Sequence, residues 1–318
     1  MIPLESRFLP YRAVGTIASA LDRQGLYRIR PENVQQVGIN IAPTEIVGLS
    51  DGKPETQSDG WKLPPGYYRL NFGLRIDRGM IGQGVQPAVN FRSSVFRCGA
   101  VGGHVFADGE EEDPPPKAVL YGGPLQANLH VLNPYGLRIE QGAEVAQLSF
   151  RTPGASPICS ELLSPLRVLT FGSEGILGVG KTTLPDYMPV EGDDRWELTE
   201  NVPYLATLQG TVTLGPDEVA LIQAHQGDYQ TQPLLSRLAI YGDALVDPGY
   251  SGPVSTLIIP RGDTTLRVDH GLVRLTRFNV INDGRDMPVY DGQYVTSKPA
   301  GPDVQFGDVR DSAFMRGF

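Results

Sequence analysis

Two short stretches of this chain carry residue types that can hold a phosphate or move a proton. The first is Phe91-Arg92-Ser93-Ser94-Val95-Phe96-Arg97-Cys98-Gly99, with two guanidinium groups and two hydroxyls close together. Such a cluster offers charge-assisted and neutral donors to phosphate oxygens. The same residues would equally make a short capped helix with solvated arginines. The second stretch is Val246-Asp247-Pro248-Gly249-Tyr250-Ser251-Gly252. A carboxylate beside a rigid Pro-Gly turn can act as a general base, and the Tyr ring can stack on a sugar. Asp-Pro-Gly is also ordinary β-turn chemistry.

A third pattern, Gly175-Ile176-Leu177-Gly178-Val179-Gly180-Lys181-Thr182, fits the Walker A expression and follows a plausible strand, Arg167–Phe171. That mechanism needs a helix opening at the Lys-Thr pair, so that its first N–H groups face the phosphates. Pro185 and Pro189 fall inside the next two turns, so the stretch reads instead as a Gly-rich interdomain linker. His104, His130, His225 and His270 lack ligand spacing, and a metal held by histidines is not expected. His130, on an apolar strand, reads as a core residue.

The elements that must position these groups are mostly strands. Gly15–Gln24, ended by Gly25, is the one segment near the start with a helical pattern. Tyr67–Phe72, Leu129–Leu132 and Glu144–Phe150 alternate as strands do, with Pro- and Gly-bearing turns between them. Asp108–Pro116, acidic and then proline-rich, is a loop. Gly (38) and Pro (27) make about a fifth of the 318 residues, which suits many short strands joined by tight turns.

The length allows two domains, each with its own core. Three landmarks recur in one order: Leu63–Leu70 with Leu214–Leu221, Leu120–Leu125 with Gly249–Val254, and Gly142–Phe150 with Gly271–Phe278. They argue for a tandem duplication, against the alternative of chance similarity between two β-rich halves. The boundary is expected within Thr183–Asp194, giving domains 1–185 and 186–318.

A net charge of −9 and a pI near 5 speak against general nucleic-acid binding, although a single small polyanion needs only a few local arginines. No apolar run approaches the roughly 18 residues that span a bilayer. The first residues lack a secretory pattern, and Cys98 and Cys159 have no metal-type spacing. A cytoplasmic protein with reduced thiols, binding neither nucleic acid nor membrane, is expected.

The first two motifs together resemble the dCTP deaminase/dUTPase superfamily. Arg92-Ser93-Ser94-Val95-Phe96-Arg97-Cys98-Gly99 is similar to the Arg-Ser-Ser-x-x-Arg-x-Gly signature of dCTP deaminases. There the Ser and Arg side chains hold the triphosphate and help place the attacking water. Val246–Gly252 is similar to the Val-Asp-Pro-Gly-aromatic-x-Gly turn, whose Asp contacts the deoxyribose and in dUTPases acts through water as a base. Val145-Ala146-Gln147-Leu148 resembles the Ala-Gln-Leu motif, whose Gln reaches the phosphates. Tyr290-Asp291-Gly292-Gln293, with Gly301-Pro302 beyond, resembles the C-terminal arm that folds over bound nucleotide. Phe106–Gly109 and Tyr121–Leu125 point to the long, internally duplicated bacterial dCTP deaminases.

The resemblance implies an all-β fold of two tandem dUTPase-like, jelly-roll type domains with few short helices, in a homo-oligomer. It implies catalytic roles for Asp247, Ser93 and Arg97. It implies substrate-binding roles for Arg92, Ser94, Gln147, Tyr250, Gly252, Arg237, Tyr290 and Gln293. The substrate would be a pyrimidine deoxynucleoside triphosphate, with Mg²⁺ carried on its phosphates.

The departures matter as much. By the landmarks, Ala118 matches Asp247, while Gln232-Pro233-Leu234 matches Arg92-Ser93-Ser94, and only Arg237 answers to Arg97. Each half keeps one motif and lacks the other, as in a composite site between fused domains; decay of both halves is the alternative. The deaminase proton-shuttle glutamate corresponds to Leu257, or to Asn128 in the first half, and neither can shuttle a proton. Glu110–Glu112 lie in a loop that nothing in the sequence places. Three readings follow. The chain deaminates dCTP, or it releases pyrophosphate from dUTP, or it binds nucleotide without catalysis.

Overall fold

Alternating burial builds most of the sheets. The computed structural model describes residues 9, 11–25, 28–49, 52–77, 79–81, 85–102, 124–152, 157–225, 237–241 and 244–280. The first part carries α1 (Tyr11–Asp22), β1 (Gly38–Ile41), β2 (Glu45–Gly48), β3 (Glu55–Gln57), β4 (Gly60–Leu63) and β5 (Gly66–Arg75). Then come β6 (Gln86–Phe91), α2 (Ser93–Arg97), β7 (Ala100–Gly102), β8 (Pro124–Val131), β9 (Leu137–Glu140) and β10 (Ala146–Arg151). A connecting group follows: β11 (Cys159–Leu163), β12 (Pro165–Phe171), β13 (Gly175–Leu177), β14 (Thr182–Thr183) and β15 (Tyr187–Pro189). The remainder is β16 (Arg195–Leu198), β17 (Tyr204–Leu208), β18 (Val212–Thr213), β19 (Glu218–Ala224) and β20 (Leu238–Tyr241). It continues as β21 (Ala244–Val246), β22 (Ser251–Gly252), β23 (Ser255–Pro260), β24 (Thr264–Arg267) and β25 (Val273–Asn279). Strands dominate, and the class is all-β, as the alternation and turn chemistry imply.

In β5, Tyr68, Leu70, Phe72 and Leu74 are buried while their neighbours are not, and β8 repeats this with Leu125, Ala127, Leu129 and Val131. That is the period-2 pattern of strands buried on one face. β10 is buried along Ala146–Phe150 because β1 and β6 flank it and both faces are covered. In α1, Val14, Ile17, Ala18 and Leu21 form one inward stripe, and Gly25, at φ +68, follows the helix. No helix among the described residues is long and apolar enough to cross a membrane.

The same strand pairings occur twice. β1-β10-β6 is matched by β11-β25-β19, β2-β5-β8-β7 by β12-β17-β23-β20, and β4-β9 by β16-β24. The bonds at the ends of the first ladder agree residue by residue. Val145 N–H donates to Ile41 O and Arg92 N–H to Val145 O, while Leu272 N–H donates to Leu163 O and His225 N–H to Leu272 O. This places His225 where Arg92 stands. Likewise Leu238 pairs with Pro260 as Ala100 pairs with Val131, which sets Arg237 opposite Gly99 rather than Arg97. The first sequence landmark is also reassigned, because β5 corresponds to β17, and β19, which holds Leu221, corresponds to β6.

The connecting group is shared rather than idle. β11 pairs with β25 and β12 with β17, whereas β13 returns to lie parallel to β9. The Gly175–Thr182 stretch is therefore a sheet hairpin and not a linker. One apolar cluster runs through both halves, from Ile39 and Phe72 to Leu257 and Leu275.

Candidate active site

The face of β10 that holds Gln147 is polar inside an otherwise apolar ladder. Gln147 lies across from Asn40 on β1 and Asn90 on β6, and all three are buried. Gly38 clears the space, since a Cβ there would fall 2.8 Å from the Gln147 side chain. Asn90 Nδ2 donates to Ser149 Oγ at 2.6 Å, and Arg151 Nη2 donates to Asn90 Oδ1 at 2.8 Å. Buried amides of this kind hold fixed positions because an unmade bond is costly.

β6 leads from this ladder into α2, with Arg92 as the extended N-cap residue. Arg92 Nη1 meets the Glu144 carboxylate at 3.3 Å, and Asn33 Nδ2 donates to the other Glu144 oxygen. One turn on, Arg97 folds back, its Nη2 donating to Ser93 Oγ at 2.6 Å and its Nε to Ser93 O at 3.3 Å. Ser94 is buried, and so is the Cys98 thiol, which burial pushes up to about 12. The motif is thus the short helix and the charged cluster at once.

From the other half, β21 delivers Asp247 at the start of its Pro-Gly turn. Gly249, at φ +78, donates its N–H to Gly215 O at 2.9 Å, and Tyr250 N–H donates to Asp247 O at 3.2 Å. Tyr250 is buried, with its hydroxyl donating to Pro253 O. Gln147 Nε2 donates to Asp247 Oδ1 at 3.3 Å and so joins the halves. Burial pushes the Asp247 carboxyl above the usual carboxylate range, against the Gln147 bond and the Arg92 charge, which pull it down.

Asn40, Asn90, Glu144 and Pro253 border one cavity of about 510 Å³ together with the motif residues, within the range of small-molecule sites. The structure brings together Arg92, Ser93, Ser94, Arg97 and Gln147 with Asp247 and Tyr250. It does not bring Gly252, which pairs with Val212, nor Arg237, whose carbonyl accepts the Arg261 N–H at 2.7 Å. Tyr290 and Gln293, the acidic loop with Glu110–Glu112, Ala118 and Gln232–Leu234 lie outside the described residues. Leu257 is fully buried in β23. Asn128 sits on β8 with an Oδ1 that has no partner among the described residues.

Sequence reasoning missed Asn40, Asn90 and Glu144, and it missed that the Gly178–Lys181 turn borders the same cavity. The available signal was Asn and Gln recurring at inward strand positions. Among the described residues no three His, Cys, Asp or Glu side chains converge. A divalent cation here would rely on phosphate oxygens for most of its ligands, with Asp247 and Glu144 as nearby carboxylates.

No family model matches the sequence, and no curated protein matches it. A solved structure does, the crystal structure of 2'-deoxycytidine 5'-triphosphate deaminase from Agrobacterium tumefaciens. The TM-score is 0.63 at 14% identity, over 87% of this chain and 99% of that one. This chain therefore has the all-β, dUTPase-like fold found in a dCTP deaminase.

Proposed function

We propose that the cavity binds a pyrimidine deoxynucleoside triphosphate, dCTP or dUTP, and hydrolyses it. The observation that supports this best is the meeting of Arg92, Ser93, Arg97 and Gln147 with Asp247 and Tyr250 in one cavity. In this reading Arg97, Ser93 and Arg92 hold phosphate oxygens and take up the charge that develops on them. Asp247, oriented by Gln147, orients a water and takes its proton; a carboxyl raised by burial suits that work near neutrality. Mg²⁺, bound through the phosphates, would supply further charge neutralisation.

Release of pyrophosphate from dUTP is favoured because Leu257 leaves the shuttle position apolar and sealed. Deamination of dCTP is the second reading, supported by the activity named for the structural neighbour. Incubation with each nucleotide and Mg²⁺, followed by chromatography, separates them. Pyrophosphate from dUTP supports the first, and dUTP from dCTP the second. If neither is consumed while nucleotide raises the melting temperature, only binding stands.

The repeated pairings support a tandem duplication; across the proposed 185/186 boundary, β11 and β12 pair with strands of the second half, whereas β13 pairs with β9 of the first. The homo-oligomer belongs to the same reading and is tested by light scattering.

A further inference from the structure

We propose that the Gly178–Lys181 hairpin turn is a phosphate clamp, with Lys181 pairing with the outer phosphates of the bound triphosphate. This rests on the nucleotide reading and names a ligand group that the motif comparison did not supply.

The turn resembles a P-loop in sequence and works differently in space. It joins β13 to β14, where Leu177 pairs with Thr182, and no helix follows. Gly178 N–H donates to Lys181 O at 3.0 Å, and Val179 N–H donates to the Glu140 carboxylate at 3.1 Å. Those two amides are spent holding the turn and cannot cradle an anion as P-loop amides do. Gly180, at φ +77, gives the sharp reversal a residue with a Cβ would resist. β13 is anchored by its parallel pairing with β9, so the turn is a preset feature of the sheet.

Charge points the same way. Three cations line the cavity, Arg92, Arg97 and Lys181, along with three carboxylates, Glu32, Glu144 and Asp247. Arg92 is engaged by Glu144, and Arg97 is folded onto Ser93. Lys181 is exposed, and its ammonium group has no hydrogen-bond or ion-pair partner among the described residues. A triphosphate brings several negative charges into a lining whose formal charges cancel, so an uncommitted ammonium group is the favourable one to meet it.

The lining draws its positive charge from one side of the chain. Ile222, Leu245, Val246 and Val254 from the second half add only apolar surface, whereas all three cations come from α2, its N-cap and the hairpin. In this proposal the phosphates meet those three cations, Lys181 among them.

The test is calorimetric titration of the full chain and of Lys181→Met and Lys181→Arg with dUTP, dUMP and sodium tripolyphosphate. Lys181→Met is expected to weaken dUTP and tripolyphosphate binding at least tenfold, to leave dUMP within twofold, and to be largely rescued by Lys181→Arg. Equal losses for dUMP and dUTP, or no loss for either polyphosphate, overturn the clamp. If the unaltered chain takes tripolyphosphate in a Lys181-dependent way but no pyrimidine nucleotide, the clamp stands and the nucleotide reading falls. If it binds dUTP and Lys181→Met binds as tightly, the clamp alone falls.

Discussion

Gln147 Nε2 donates to Asp247 Oδ1 at 3.3 Å, a bond between residues 100 positions apart that joins the two halves at the cavity. It fixes one Asp247 oxygen at the edge of the cavity.

Arg92→Ala and Asp247→Ala should each remove a single shared activity. Loss of a general base costs about 10²–10⁴-fold, so Asp247→Ala should fall at least 100-fold in kcat in steady-state assays of the nucleotide product. Full turnover in either variant sinks the composite site.

Asp247→Asn should stabilise the protein at neutral pH while disabling it. A carboxyl raised above its unfolded value holds its proton more tightly in the native state. Native stability is therefore fully favoured below the unfolded pKa, ~3.9, and declines as pH climbs through the native value. The amide does not titrate, so the melting-temperature advantage of Asp247→Asn should widen from pH 4 to pH 8. A constant or shrinking gap contradicts the buried-carboxyl account.

Glu144→Gln removes the carboxylate facing Arg92. Partly exposed pairs contribute only ~0–1 kcal/mol, so thermal stability should hardly move. Released from its partner, Arg92 should bind triphosphate several-fold more tightly in titration calorimetry. Weaker binding would mean that Glu144 positions Arg92 rather than competing for it.

Gly175→Ala tests how β13 supports α2. The new Cβ would fall 2.5 Å from Cys98 Cβ and 2.6 Å from its Sγ. Overpacking of this kind costs about 1–3 kcal/mol, to be read from chemical denaturation. Dithionitrobenzoate at pH 8 should label the exposed Cys159 quickly and reach Cys98 only in denaturant. Fast labelling of both thiols would show that the α2–β13 contact opens readily.

The strands with clean alternation were legible before any coordinates, because Tyr68, Leu70 and Phe72 must share one face. The helix at Tyr11–Asp22 was legible from its apolar stripe, although it begins four residues earlier than Gly15. The cavity-lining Arg92, Gln147 and Asp247 were found through motifs, since charge and turn chemistry leave local marks. The β5–β19 match was misleading, because a Leu-turn-strand phrase recurs wherever a strand follows a proline. Only hydrogen-bond register assigns β5 to β17. Arg237 is outside the cavity lining and out of step with Arg97, since identity at an approximate spacing says nothing of ladder position. The Gly175–Thr182 hairpin was misread as a linker because its pairing with β9, far away in sequence, leaves no local trace.

Arg92 and Asp247 reach their cavity on one polypeptide, which makes their meeting a first-order event. Dilution that would separate two chains leaves it untouched, and the local concentration of one motif near the other is set by the fold. Genetic complementation follows the same logic. A mixture of Arg92→Ala chains and Asp247→Ala chains holds no intact cavity and should stay inactive, whereas a site shared between two chains would regain part of its activity on mixing.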